Sequence, residues 1–76
     1  MEAITIAVHL ITAKFNQIVD ENHIEEFVEI LEAGRRLPPI TVKVIGSDSY
    51  QIVDGRHRLE AHKRLALSTI KARITR

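Results

Sequence analysis

At Asp54-Gly55 the apolar pattern of this chain changes its period. "YQIV" (50–53) reads as the end of a strand. From Leu59 onward the apolar residues return at helical spacing. Only Asp54 and Gly55 separate the strand from a cluster of positive groups, Arg56, His57 and Arg58, that opens the helix. A strand that passes straight into a helix constrains the fold strongly, and the joint carries three cation-capable side chains.

The flanking segments extend the pattern. Ile4, Ile6 and Val8 in "AITIAVHLI" fall at period two and predict one strand, while 12–19 has no clear period and reads as a connection. Ile24, Phe27, Val28 and Leu31 form an apolar stripe at i, i+3, i+4, i+7 and predict a helix. Asn22 is its expected cap, with Glu25 completing a capping-box pattern, and Gly34 its expected end. Pro38 and Pro39 forbid continuing that helix. Ile40, Val42 and Val44 alternate with polar residues, "GSDS" has turn composition, and "YQIV" returns, so a β-hairpin is expected. A second helix from about Arg56 to Leu65 and a final strand, "STIKARIT", complete the order β, α, β, β, α, β. The expected fold is α+β: a small mixed sheet of about four strands with two helices, in one domain over residues 1–76.

A chain of 76 residues buries about 60% of its unfolded surface, so its stability is marginal and a ligand or second copy matters. There is no cysteine, which excludes disulfides and thiolate metal sites and fits a reducing compartment. No apolar stretch reaches the roughly 18 residues of a membrane span. No basic segment precedes an apolar run at the N-terminus, as a secretory signal requires. The expected setting is cytoplasmic, without a membrane partner. Net charge is +1, but residues 1–34 hold one cation against seven anions (−6) and residues 35–76 ten against three (+7). Surfaces of opposite sign favour weak self-association, and a homodimer is expected.

The joint at Gly55 has the physics of an anion site. A helix start leaves unpaired N–H groups at its positive dipole end, and a glycine lets a ligand approach the backbone. His57 and Arg58 add donors. Projected at about 100° per residue, Arg56, Glu60, Lys63 and Arg64 lie on the outer side, with Arg56–Glu60 and Glu60–Arg64 as i,i+4 pairs. Arg58 and His62 project among the apolar residues instead. A buried Arg58 needs either a carboxylate or carbonyl partner, or an anion in a cavity.

The stretch "YQIVDGRHRLEAHKRLALSTIKARI" resembles the signature of the ParB/sulfiredoxin-like fold family. That signature is a strand ending in a D/G-G-x-[HR]-R turn, a helix reading R-x-x-A-x-x-x-L, and a closing strand; "LPPITV" (37–42) resembles the segment before it. The D-G-x-H-R form is nearest to the free-serine kinase and ParB-like nuclease members. The resemblance implies that Gly55, Arg56, His57 and Arg58 bind the phosphates of a nucleotide, CTP or ATP/ADP, with Mg2+ held through those phosphates. It places Asp54 at the edge of the site and Arg56 where sulfiredoxins carry their reactive cysteine. Sulfinic-acid reduction is therefore ruled out. Partition proteins of the family continue into a helix-turn-helix module, which these residues do not include. The family's glycine after the signature helix is replaced, with Leu67 or Ser68 expected in its place.

Two functions remain. One is a nucleotide-binding domain with weak NTPase or phosphotransferase activity, for which Asp54, His57, Glu29 and Glu32 are the candidate catalytic residues. The other is a DNA-binding or nuclease module using Arg35, Arg36, Lys71, Arg73 and Arg76 as a basic patch. Tyr50, Phe15 and Phe27 are the only aromatics, and Phe27 is assigned to the core stripe, which disfavours single-strand stacking. The spacing of His9, His23, His57 and His62 matches no metal-ligand motif.

Overall fold

A computed structural model describes residues 3–13 and 19–75. The N-terminal run is not one strand. It forms β1 (Ile4–Ala7), a short 3-10 turn (Val8–Leu10) and β2 (Ile11–Thr12). β1 lies at one edge of the sheet and β2 at the other. The buried residues Ile6, Val8 and Ile11 explain the break: the spacing goes from two to three, and the extra residue turns the chain. The turn is fastened by Val8 N–H donating to the Ser68 carbonyl at 2.9 Å. The sheet therefore has five strands rather than four, and the fold is α+β with a mixed sheet, as expected.

Helix α1 (Glu21–Glu32) starts earlier than the Asn22 reading implies. Asp20 is the cap, and its carboxylate accepts from Asn22 N–H at 3.0 Å. Gly34, at φ 79°, ends α1 as expected. Gly34 N–H donates to the Leu31 carbonyl and Arg35 N–H to the Ile30 carbonyl, the paired bonds of a Schellman ending.

The diproline leads into β3 (Ile40–Gly46), which turns at Ser47-Asp48 into β4 (Ser49–Asp54), so the hairpin forms. Gly55 then opens α2 (Arg56–Arg64), and β5 (Thr69–Thr75) closes the fold. β5 runs parallel to β3 and antiparallel to β1, giving the order β1-β5-β3-β4-β2.

Ile40, Val42 and Ile52 of the sheet and Leu59 of α2 are fully buried together, with Ile6, Ile70 and Ala72 beside them. Each large aliphatic side chain so buried contributes about 1.5–3 kcal/mol. Helix α1 packs on α2, with Ile24 its fully buried residue; Phe27, Val28 and Leu31 are only half-buried. The sheet positions that alternate with the core, Thr5, Lys43, Lys71 and Arg73 among them, face away from the helices and are exposed.

Candidate functional site

β4 delivers the chain to Gly55 at φ 100°, ψ 29°, a left-handed conformation that favours glycine. Packing adds a second constraint. A Cβ at this position would stand 2.6 Å from Ile40 Cγ2 and 3.1 Å from the Arg58 guanidinium. The space that a side chain would need thus belongs to the core and to Arg58, not to solvent. Gly55 accepts the first helical bond, from Leu59 N–H at 3.0 Å, and has no side chain to cap α2. The N–H groups of Arg56, His57 and Arg58 precede that first bond and have no intrahelical partner.

The three side chains that follow have different tasks. Arg58 Nη1 donates to the carbonyls of Pro38 (3.0 Å) and Pro39 (3.1 Å), and Nη2 stands 3.9 Å from Asp54 Oδ2. It is largely committed to fastening the diproline segment against α2, the carbonyl alternative among those open for it. His57 Nε2 accepts from Asp20 N–H at 2.9 Å, so the ring proton sits on Nδ1. Arg56 does pair with Glu60 (3.1 Å), yet it is not the outward side chain of the helical projection. Its side chain is only 22% exposed, and its Nε and Nη1 are buried without a partner among the described residues. Two buried donors left unbonded carry a penalty that an oxygen-rich ligand would relieve.

These residues line one side of a cleft of about 460 Å³. The opposite wall comes from α1 and the diproline: His23, Phe27 and Pro38. The His23 ring stands edge-on to His57, centroids 5.4 Å apart, and 6.4 Å from Phe27. Residues 23 and 27 are one helical turn apart, so α1 turns one face to the cleft. Phe27 is thus a cleft wall as much as a core residue. Glu29 and Glu32 sit on another side of α1, near Val28 and Leu65, and do not line this cleft. Asp54 does line it, and its side chain is 79% exposed.

Other expected pairings rearrange. Arg64 pairs with Glu21 at the start of α1, while Glu60 takes Lys63 at 3.8 Å. His62 Nδ1 donates to the Arg58 carbonyl at 2.7 Å. The expected basic patch divides. Arg35 and Arg36 line a second cleft of about 360 Å³ that Lys71 also borders, whereas the side chains of Lys71, bonded to Thr5, and Arg73 lie on the uncovered sheet face. Lys43, unremarked in the sequence, joins Arg73 there. Phe15 and Arg76 lie outside the described residues. His23 was not recognisable as a wall of the first cleft, since its role depends on how α1 crosses α2.

Residues 2–76 match the sequence profile of the ParB N-terminal domain. The chain belongs to the ParB N-terminal domain family. Solved structures share the fold of this ParB N-terminal domain. Sulfiredoxin from Arabidopsis thaliana superposes with a TM-score of 0.79 at 24% identity, over 97% of this chain and 84% of that one. The C-terminally truncated chromosome-partitioning protein ParB from Caulobacter crescentus, complexed with CTP-gamma-S, gives 0.82 at 20% identity, over 96% and 43%. A free serine kinase in complex with AMP gives 0.82 at 22%, over 97% and 31%. At the sequence level, 61 residues are 43% identical to the BEACH domain-containing protein lvsE of Dictyostelium discoideum. They cover 74% of this chain but 3% of that protein. The chain thus spans less than half of the partition protein and the kinase, and a small part of the curated relative.

Proposed function

We propose that this ParB N-terminal domain binds a nucleotide by its phosphates at the β4–α2 turn. The observation that carries the reading is the pair of buried donors on Arg56 that have no partner among the described residues, beside three N–H groups without an intrahelical partner at the positive end of α2. The backbone N–H groups of 56–58, His57 Nδ1–H and, once the Arg56 side chain turns toward the cleft, its buried Nε and Nη1 form a donor set that suits phosphate oxygens. Phe27 supplies a flat apolar face and His23 a flat imidazole in the same cleft. Two structural relatives carry CTP-gamma-S and AMP, which supports a nucleotide rather than inorganic phosphate. Mg2+ would enter with the phosphates, and Asp54 is the carboxylate lining the cleft.

The same geometry supports slow phosphohydrolase or phosphotransferase activity. Asp54 would accept a proton from an attacking water or hydroxyl. With Nε2 engaged by Asp20, His57 acts as a donor through Nδ1–H and not as the base. The cysteine-free composition and a nucleotide ligand support a cytoplasmic setting.

Isothermal titration with ATP, ADP, CTP and GTP, with and without Mg2+, tests the reading. At least one nucleotide is expected to bind, and Arg56→Ala to weaken it tenfold or more. Parent-like affinity in Arg56→Ala would remove the basis of the assignment.

DNA is the second reading, favoured by one observation. Lys43, Lys71 and Arg73 share the uncovered sheet face, and β1, β3 and β5 contain no carboxylate.

A further inference from the structure

The second cleft shares only Pro38 with the first. Leu31 at the end of α1, Leu37 and Ile70 give it apolar lining, and the exposed Arg35 and Arg36 line it too; Lys71 also borders it, with its Nζ donating to Thr5 on the sheet face. No carboxylate is among its described lining residues.

Those two arginines have no evident structural task. Among the described residues, neither guanidinium has a hydrogen-bond or ion-pair partner. The Leu31 and Ile30 carbonyls near the end of α1 are already taken by the Gly34 and Arg35 backbone N–H groups, so neither guanidinium is needed for them. His62 also lines the cleft. Its Nδ1 is occupied by the Arg58 carbonyl, which leaves Nε2 as an acceptor.

We propose that this second cleft binds a small organic anion, a carboxylate or phosphate monoester carrying an apolar group of a few carbons. Guanidinium forks hold planar or tetrahedral oxyanions by two bonds at once, so one anionic group satisfies the two arginines. Leu31, Leu37 and Ile70 then take the apolar part. The volume, about 360 Å³, lies at the lower end of small-molecule pockets and suits a ligand of this size. A polyanion would instead track a row of charges, and this chain offers that on the sheet face. The proposal stands independently of the nucleotide reading, since none of its residues except Pro38 belongs to the first cleft.

Amide NMR titration of the full chain with acetate, butyrate, hexanoate, phenyl phosphate and neutral 1-hexanol decides it. Affinity is expected to rise from acetate to hexanoate by up to about fourfold per methylene, the gain for burying each one. Shifts should centre on Leu31, residues 35–37 and His62. Hexanol should bind at least tenfold more weakly than hexanoate. Arg35→Ala/Arg36→Ala should lose hexanoate tenfold or more, while Arg56→Ala should leave it unchanged. Equal binding of acetate and hexanoate, equal binding of hexanol and hexanoate, or shifts centred on residues 55–58 would each overturn the proposal. So would a duplex oligonucleotide that shifts residues 35–37 when no small anion does. If the double variant fails to fold, the chain-length and charge dependence in the parent settles the question.

Discussion

Gly55 and Arg58 carry the joint between sheet and helix, and both can be tested by substitution. Gly55→Ala would place a non-glycine residue at φ 100° and press its Cβ to 2.6 Å from buried Ile40. Left-handed strain costs about 1–2 kcal/mol and overpacking about 1–3 kcal/mol. A loss of about 2–5 kcal/mol is therefore expected, read as a lower urea midpoint at unchanged slope. A loss below about 1 kcal/mol would contradict the packing argument. Arg58→Ala removes charged donors from two proline carbonyls and is expected to cost about 1.5–3 kcal/mol. Arg58→Lys should recover only part of this, since one ammonium cannot reproduce a planar fork. Full recovery in urea titration would show that charge, not geometry, matters there. Only the role of Arg58 was partly legible in the sequence, since an arginine among apolar positions had to be partnered. Gly55 read as an opening for a ligand, and its left-handed backbone and contact with Ile40 became visible only in the fold. Which partner Arg58 takes was not legible, because Pro38 and Pro39 lie about twenty residues away and meet it only after the sheet has formed.

Helix endings show how far local signals reach. Gly34 marks the end of α1 in the sequence and in the fold. α2 ends by the same pair of bonds, Ala66 N–H to the Lys63 carbonyl and Leu67 N–H to the His62 carbonyl. Here the left-handed residue is Ala66, at φ 54°, and neither Leu67 nor Ser68 holds that position. An alanine gives no such signal, so the position could not be read from the sequence. Ala66→Gly should relieve about 1–2 kcal/mol of strain and return part of it as unfolded-state entropy. A net gain of about 0.5–1 kcal/mol is expected, raising Tm by about 2–8 °C. A lower Tm would contradict the assignment. The division of the N-terminal run had a similar cause: period two persists through Val8, and only the burial of Ile11 reveals the turn. The cap moved from Asn22 to Asp20 because both residue types accept the same bond, so the sequence left two adequate starts.

Across the molecule, the opposite charges of the two halves take defined places. The carboxylates of α1 are exposed on the helical side, and Lys43, Lys71 and Arg73 on the uncovered sheet face. The weak homodimer expected from the sequence would draw on these two surfaces, and it remains our proposal. The nucleic-acid reading belongs to the sheet face alone. If a duplex binds there through three phosphates, log affinity should fall against log salt with a slope of about −2.7. Lys71→Ala/Arg73→Ala should bring the slope near −0.9 and leave nucleotide affinity unchanged. An unchanged slope would remove the sheet face from the reading.

The central claim, that the β4–α2 turn holds phosphate groups, is tested most directly by amide NMR mapping of nucleotide titrations with Mg2+. The expected result is the largest shifts at Gly55, Arg56, His57 and Arg58, smaller ones at His23 and Phe27 across the cleft, and loss of the whole pattern in Arg56→Ala. Shifts centred on Lys43, Lys71 and Arg73, with residues 55–58 unmoved, would contradict it.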